Sequence, residues 1–104
     1  MTIVQRRVFY GKVGTADSLV EWAKGMYGII ASQHEAMVVR IMTDHQSGRT
    51  DRLAVEIELE SFRLLETIIE RTMSDPNLQP KFSEAFSKLS DLIEYAEVEQ
   101  WTVH

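Results

Sequence analysis

The sequence of 104 residues contains no cysteine, and this absence excludes disulfide bonds, thiolate metal sites and a cysteine nucleophile. No apolar run approaches the roughly 18 to 20 residues that a membrane-spanning helix needs, and the sequence begins without a charged-then-apolar signal pattern. These absences predict a cytoplasmic protein that has no membrane contact, and a cysteine-free chain fits a reducing compartment.

Positive charge is also scarce, because 11 lysines and arginines stand against 16 aspartates and glutamates, for a net charge of −5. Affinity for nucleic acid depends on clustered basic side chains that neutralise phosphates. Here the basic residues are scattered, apart from the pair Arg6 and Arg7 and the turn that holds Arg49 and Arg52. The charge pattern therefore excludes nucleic acid as a partner.

The three histidines, His34, His45 and His104, show no H-x-H or H-x-x-x-H spacing of the kind that marks a metal site. The sequence also has no phosphate-binding loop, no dinucleotide-binding glycine pattern, no serine nucleophile elbow and no kinase motif. We therefore predict neither a metal nor a cofactor, and we set aside dinucleotide and ATP chemistry.

The composition that remains is ordinary for a globular protein, with 44% hydrophobic and 26% charged residues. The length, without internal repeats or linkers, predicts a single domain over residues 1–104. Apolar residues alternate in some segments and recur every three to four positions in others. These patterns predict strands at 3–10, 37–43, 53–59 and 96–103, and helices at 15–32, 61–73 and 78–89.

Cap and breaker residues mark the ends of these elements. Thr15 and Ser61 are predicted N-caps, because their hydroxyls can accept hydrogen bonds from free amides in the first helical turn. Pro76 separates the second helix from the third, because proline cannot continue a helix. The order of elements predicts an α+β protein with the ferredoxin-like split βαβ fold, whose antiparallel sheet carries its helices on one face.

Helices on one face leave the other face of the sheet bare, and strand alternation predicts which residues lie there. The second and third strands are predicted to contribute Val38, Arg40, Met42, Ala54, Glu56 and Glu58. In the first strand we predict that Val4, Val8 and Tyr10 face the core, so that the bare face receives Gln5, Arg7 and Phe9. With the opposite facing, Arg6 replaces Arg7 and Tyr10 replaces Phe9. If Ala96 and Val98 point to the helices, the last strand adds Glu97, Glu99, Trp101 and Val103.

The first strand ends in a short motif, Arg7-Val8-Phe9-Tyr10-Gly11-Lys12-Val13-Gly14. It resembles the Arg-x-aromatic-x-x-Lys-x-Gly strand end of NIPSNAP-like proteins, which belong to the dimeric α+β barrel superfamily with the antibiotic-biosynthesis-type monooxygenases. The order of elements is similar over nearly the whole chain. The resemblance implies a homodimer whose two sheet faces pack around a small-molecule cavity, with Arg7 in or near it. Haem-degrading members of the superfamily use a histidine on the second helix, and residues 62–73 contain none.

Charged residues on the predicted bare face are the candidates for chemistry. Glu56 and Glu58 lie two residues apart on one strand face, and like charges at that spacing can raise the pKa of one carboxyl toward the range of a general base. Arg7 or Arg40 is a candidate to bind an enolate or a carboxylate. Our hypothesis is that Arg7 orients an anionic substrate oxygen while Glu56 moves a proton, and that Arg40 and Glu58 contact the ligand. The alternative is that these side chains pair across strands or face solvent.

Three aromatic residues, Phe9, Trp22 and Trp101, are candidates to contact a ligand. Trp22 lies off the main apolar stripe of its helix, which favours a position at a cavity mouth or at a dimer contact. The alternative for either tryptophan is a partly buried packing residue, because aromatic residues are common in cores and interfaces generally.

These observations and the resemblance together predict a homodimeric barrel that binds a small aromatic or anionic molecule. As an enzyme it would be a cofactor-free monooxygenase or isomerase, because members of the superfamily oxidise or isomerise activated phenols and enols with nothing bound. Whether the chain is an enzyme stays open at this point. The alternative is a non-catalytic binding or interaction module, in which the charged face only specifies how two copies pair.

Overall fold

A computed structural model describes residues 2–44 and 50–104. The strands are β1 (Thr2–Gly11), β2 (Val38–Thr43), β3 (Arg52–Leu59) and β4 (Ile93–Val103), and the helices are α1 (Ala16–Ala31), α2 (Phe62–Ser74) and α3 (Gln79–Leu92). Every predicted element is present. The largest difference lies between α3 and β4, which meet directly at residues 92 and 93, whereas the predicted elements end at residue 89 and begin at residue 96. Residues 45–49 between β2 and β3, for which a turn with His45 and Arg49 was predicted, lie outside the described residues.

The four strands form one sheet in the order β2-β3-β1-β4, and all three neighbouring pairs are antiparallel. The buried core joins one face of this sheet to α1, α2 and α3, and its largest fully buried members include Phe9, Leu19, Leu53 and Ile68. The chain therefore has the predicted ferredoxin-like α+β fold, with its helices on one face. The opposite face of the sheet, which no helix covers, is called the open face below.

The facing predicted for β2 and β3 is confirmed, but the facing predicted for β1 is wrong. In β4, whose facing was left open, Ala96 and Val98 lie on the helix side, because they pair with Phe9 and Arg7. Ile3 and Phe9 of β1 are buried against the helices, and Gln5 and Arg7 lie on the same side. The pairing with β3 explains this result, because Phe9 lies opposite Leu53 and paired residues share a face of the sheet. The open face therefore receives the other members of β1, namely Val4, Arg6, Val8 and Tyr10.

The junction between β1 and α1 depends on Asp51 rather than on the predicted cap. Helix α1 does begin after Thr15, but the hydroxyl of Thr15 donates to the carbonyl oxygen of Lys12 at 2.6 Å. The free amide of Ala16 instead donates to Oδ1 of Asp51 at 3.0 Å, and the amide of Gly11 donates to the Asp51 carbonyl at 2.9 Å. One residue thus connects the β2–β3 turn to both the end of β1 and the start of α1.

Helix α2 begins and ends as the sequence predicts. The Ser61 hydroxyl accepts a hydrogen bond from the amide of Leu64 at 3.1 Å, which confirms Ser61 as the N-cap. The helix ends at Ser74, before Asp75 and Pro76, and α3 follows after a short turn. Within residues 2–44 and 50–104, the helices are too short or too polar to cross a membrane.

Candidate functional site

The sheet separates the predicted site residues into two groups. The group on the helix side consists of Arg7, Phe9 and Trp22. The group on the open face consists of Arg40, Glu56, Glu58 and Trp101. The structure therefore does not bring Arg7 and Glu56 together, and the two residues of the proton-transfer hypothesis lie on opposite sides of one sheet.

The first group lines a pocket of about 210 Å³ between the sheet and all three helices. We call this space the interior pocket. Its floor is formed by β1 and β3, and its walls are formed by the helices. Its lining residues are Gln5, Arg7, Phe9, Trp22, Met26, Tyr27, Ile30, Ile57, Ile69, Thr72, Met73, Phe82, Phe86 and Leu89.

Three polar side chains line this largely apolar pocket in addition to Thr72, whose hydroxyl donates to the Ile68 carbonyl of its own helix. Gln5 and Arg7 are half-buried and lie two residues apart on one face of β1, and Tyr27 of α1 is buried. In the described part of the chain, none of these three side chains has a hydrogen bond or an ion pair. Burial raises the pKa of the Tyr27 phenol, and the positive charge of Arg7 opposes part of that rise. Tyr27 therefore stays protonated at neutral pH and can donate a hydrogen bond.

Aromatic rings form one wall of the pocket. Phe9, which is 1% exposed, meets the Trp22 ring edge-to-face with 5.3 Å between the ring centres. The indole Nε1 of Trp22 donates to the carbonyl oxygen of Ala85 at 2.8 Å and so ties α1 to α3. Trp22 is therefore a partly buried residue that packs against the core and also lines the pocket.

The pocket opens between α2 and α3. Three of its lining residues, Ile69, Met73 and Phe86, are at the same time among the large apolar side chains exposed on the surface, at 37%, 41% and 49%. Phe86 also contacts Phe82 deeper in the pocket, with 6.4 Å between the ring centres. The route from solvent to Arg7 is therefore bordered by apolar side chains.

The second group belongs to a row of four charges across the open face. Arg40 of β2, Glu56 of β3, Arg6 of β1 and Glu99 of β4 are consecutive partners in the strand register. We call these four residues the charged row. Arg6 contacts Oε2 of Glu56 through Nε at 2.8 Å and Nη2 at 2.6 Å, while Arg40 contacts Oε1 through Nε at 3.2 Å and Nη2 at 2.9 Å. Both carboxylate oxygens of Glu56 are therefore occupied.

The expected rise in the pKa of Glu56 does not occur. The hydrogen bonds from Arg6 lower the pKa of the Glu56 carboxyl, those from Arg40 add to the effect, and burial opposes it only in part. Glu58 is the next residue of β3 on the same face. It lies opposite Val4 and Val38 and takes no part in the ion pairs of Glu56. For these residues the structure agrees with the alternative weighed above, an ion-pair network across strands.

A second cleft, of about 780 Å³, lies on the outer surface between α1 and α3. It is wide and open, and its rim carries charges of both signs, including Asp17, Glu21, Lys81 and Lys88. Trp22, Met26 and Phe82 line both this cleft and the interior pocket and therefore lie between them. We regard the interior pocket as the better candidate, because it encloses unpaired polar groups among apolar walls.

Among residues 2–44 and 50–104, no three histidine, aspartate or glutamate side chains cluster as a metal site would require. His34 instead serves its own loop, where its Nδ1 accepts a hydrogen bond from the amide of Ala36 at 3.2 Å. His104 follows the last strand and is exposed. The two described histidines therefore belong to separate segments of the chain, one in the loop before β2 and the other after β4.

Two of the polar residues that line the pocket, Tyr27 and Gln5, were not predicted as site residues. Tyr27 lies on the apolar stripe of α1, and a phenol hydroxyl on a core-facing stripe is itself a signal, because a buried hydroxyl needs a partner. Gln5 lies two residues before Arg7 and therefore on the same face of β1, so the correct facing of that strand would have placed both side chains on the helix side. The apolar mouth has no signal in the sequence, because it depends on how α2 and α3 pack.

Comparison with known proteins agrees with this architecture. No protein-family model matches the chain, and no curated protein matches it. Among solved structures, a NIPSNAP family protein from Agrobacterium tumefaciens is 15% identical with a TM-score of 0.77, covering 99% of this chain and 86% of that one. A NIPSNAP domain protein from Burkholderia xenovorans is 16% identical with a TM-score of 0.77, covering 98% and 94%.

An antibiotic-biosynthesis-monooxygenase-like protein from Chloroflexus aurantiacus is also similar, at 14% identity and a TM-score of 0.67, covering 100% of this chain and 94% of that one. Identities this low carry the fold and not the activity. The resemblance found in the β1 motif thus extends to the whole architecture. By its fold, the chain is a ferredoxin-like α+β protein of the kind that NIPSNAP-family and antibiotic-biosynthesis-monooxygenase-like structures share.

Proposed function

We propose that this protein binds a small aromatic or enolisable anion in the interior pocket and that Arg7 holds the anionic oxygen. The observation that carries the proposal is the Arg7 side chain, which is half-buried among apolar and aromatic side chains and has no ion pair in the described part of the chain. A partly desolvated guanidinium without a carboxylate is costly unless an anion joins it. A bound carboxylate, phenolate or enolate supplies that anion.

The neighbouring polar groups extend the binding site. Tyr27, whose phenol is protonated at neutral pH, offers a second hydrogen-bond donor beside Arg7, and the Gln5 amide offers both a donor and an acceptor. Two donors aimed at one oxygen favour a negatively charged oxygen over a neutral one. The proposed ligand therefore places its anionic end on the sheet and its apolar part between the helices.

The volume sets the size of the ligand. A cavity of about 150 Å³ accepts benzene, and the interior pocket measures about 210 Å³. One ring with a short charged substituent fits this space, and a two-ring compound has to extend through the mouth between Ile69, Met73 and Phe86. Because that mouth is apolar, such an extension is apolar too.

The proposal includes a homodimer, a cytoplasmic location and a single domain over residues 1–104, as the sequence analysis predicts. The ion pairs of Glu56 with Arg6 and Arg40 support the dimer, because these three charges can be covered by a second copy without being left unpaired. The catalytic version of the proposal, a cofactor-free oxidation or isomerisation, concerns the same ligand. The pocket supports this version less directly, because among the described residues that line it only Arg7 and Tyr27 are titratable.

A thermal-shift screen tests the proposal. Purified protein is screened against phenols, quinones and short aromatic and aliphatic acids. A ligand at 100 times its dissociation constant stabilises the fold by about 2.7 kcal/mol, which for a chain of this size raises Tm by roughly 10 °C or more. We expect a shift for at least one monocyclic anion and none for its neutral ester or amide.

Two arginine variants provide a matched control for the screen. Arg7→Met removes the charge in the pocket, whereas Arg6→Met removes the adjacent charge on the open face. We expect Arg7→Met to abolish the ligand shift and Arg6→Met to retain it, although Arg6→Met lowers the Tm of the free protein. A shift that survives in Arg7→Met would place the ligand elsewhere, and no shift with any compound would leave the non-catalytic interaction module as the better description.

A further inference from the structure

The interior pocket and the cleft between α1 and α3, called the outer cleft below, share one wall. Trp22 and Met26 of α1 and Phe82 of α3 line both spaces. We infer that Met26 determines the size of the ligand, because its side chain closes the gap between the interior pocket and the outer cleft. This inference rests on the proposed function and adds the residue that sets the upper size limit of the ligand.

The periodicity of α1 places this wall. Trp22 and Met26 are four residues apart and therefore form one ridge along the helix. Tyr27 and Ile30 lie to one side of the ridge and line the interior pocket without reaching the outer cleft. Ile29 lies to the other side and lines the outer cleft alone. The ridge of α1, which meets Phe82 from α3, thus separates the two spaces.

Two members of the wall are held in place by specific contacts. The Trp22 indole donates to the Ala85 carbonyl at 2.8 Å. Its ring also meets Phe9 and Tyr27 edge-to-face, with 5.3 and 6.3 Å between the ring centres. Phe82 is 3% exposed and belongs to the buried core. Replacement of either ring would therefore disturb the packing of α1 against α3 as well as the wall.

Met26 is the member of the wall that can be shortened while those contacts remain. Its side chain is buried and makes no hydrogen bond in the part of the chain that the structure describes. A methionine side chain is unbranched and flexible, so it fills irregular space between more rigid neighbours. A Cβ at the adjacent Gly25, which lines the outer cleft, would meet nothing within 4 Å. A shorter side chain at position 26 therefore leaves a gap that opens into the outer cleft.

The outer cleft offers apolar surface to a ligand that crosses this gap. Its volume is about 780 Å³, and Ile29, Ala85 and Leu92 line it beyond the wall. A second ring placed there exchanges water for apolar contact, while the anionic group stays on Arg7. In the natural chain Met26 closes this direction, and a longer ligand extends through the mouth between α2 and α3 instead.

Two acids of the same charge test the inference. Benzoate has one ring, and 2-naphthoate has two fused rings. We expect Met26→Ala to raise the affinity for 2-naphthoate by roughly tenfold or more and to change the affinity for benzoate by less than about threefold, because only the second ring occupies the gap. Titration calorimetry measures both dissociation constants. Their ratio is the readout, because a merely structural loss weakens both acids together.

Ile29→Ala is the matched control for Met26→Ala. It shortens another apolar side chain of α1, but one that lines the outer cleft alone, so the ratio of the two affinities should stay as in the natural chain. An unchanged ratio in Met26→Ala, or an equal rise in Ile29→Ala, overturns the inference. Benzoate binding that is lost in Arg7→Met still supports the proposed function in that case. If neither acid binds to any of these chains, the inference is overturned, and the proposed function is judged by the other anions of the thermal-shift screen.

A crystal structure of ligand-free Met26→Ala gives a readout that needs no bound acid. It should show the interior pocket joined to the outer cleft, because a cavity made by truncating a core side chain stays open when its neighbours relax only partially. A wall that has closed again overturns the inference. Met26→Val covers the case in which Met26→Ala does not fold, and it should raise the affinity for 2-naphthoate in the same direction by a smaller factor.

Discussion

Arg6 and Arg7 are adjacent in the sequence, but their guanidinium groups lie on opposite sides of the sheet. Arg6 contacts Glu56 at 2.6 Å on the open face, whereas Arg7 lines the interior pocket on the helix side. Successive residues of a strand point to opposite faces, so two residues of the same type have two different environments. One arginine completes an ion-pair network, and the other is left for a ligand.

Glu56→Gln should destabilise the fold by about 1 to 2 kcal/mol. The substitution removes the charge that two arginines share and leaves at least one guanidinium facing an amide donor. The cost stays below that of a fully buried pair, because the Arg6 and Arg40 side chains are 45% and 52% exposed and water can solvate them. Urea unfolding measures the change. Glu58→Gln is the control and should change stability by less than about 0.5 kcal/mol, and equal losses in both variants would contradict the assignment.

The stabilisation from Glu56 should disappear in acid. Because Arg6 and Arg40 hold the folded-state pKa of this carboxyl below its ordinary value of 4.5, the contribution is fully present above that ordinary value. It is lost as the pH falls through the lower, folded-state pKa. The difference in unfolding free energy between the natural chain and Glu56→Gln should therefore be constant near neutral pH and shrink below about pH 4.5. A difference that grows in acid would contradict the direction of the pKa shift.

Alanine at two glycines should change stability in opposite directions. A Cβ at Gly11 would lie 2.5 Å from the backbone oxygen of Asp51, 2.6 Å from Oγ1 of Thr15 and 2.7 Å from Cδ1 of Leu19. Because the nearest atom belongs to the backbone, Gly11→Ala should cost about 2 kcal/mol or more. A Cβ at Gly25 meets nothing within 4 Å, so Gly25→Ala should stabilise α1 by roughly 0.5 to 1 kcal/mol. Chemical denaturation of both variants in parallel checks the sign of each effect.

Trp22→Phe should weaken the contact between α1 and α3. The phenyl ring retains most of the contact with Phe9 but cannot donate to the Ala85 carbonyl, which then loses its 2.8 Å hydrogen bond. We expect a loss of about 1 to 2 kcal/mol, and faster hydrogen exchange in α3 than in α2. Uniform exchange through all three helices would show that the indole hydrogen bond does not specifically position α3.

Ser61→Ala should cost about 1 kcal/mol, because the Ser61 hydroxyl caps the free amide of Leu64 at the start of α2. Ser87→Ala is the matched control within α3. The Ser87 hydroxyl donates to the carbonyl of Glu84 in the same helix and caps nothing, and alanine has the higher helix propensity there. Thermal unfolding should therefore show a lower Tm for Ser61→Ala and an unchanged or slightly higher Tm for Ser87→Ala.

The facing of β1 shows where prediction from sequence was wrong and why. Both faces of this strand contain apolar and polar residues, with Val4 and Val8 on one face and Ile3 and Phe9 on the other. In β3 the two faces are easily distinguished, since Leu53, Val55, Ile57 and Leu59 alternate with Ala54, Glu56 and Glu58. Pairing transmits the facing of β3 to β1, because residues opposite each other share a face. The register between the two strands, which only the structure provides, places Arg7 opposite Val55 and therefore on the helix side.

Local patterns in the sequence determined the elements of this protein, their order and their fold. Strict alternation in β3, the apolar stripes of the helices, the Ser61 cap and the break at Pro76 depend on near neighbours in the chain, and each was predicted from the sequence. Only the tertiary structure decided the site. Arg7 with Tyr27, Glu56 with Arg6 and Arg40, and Asp51 with Ala16 are brought together from distant segments by register and helix packing. A spacing in the sequence cannot encode those distances, because they arise only when the sheet pairs and the helices close over one of its faces.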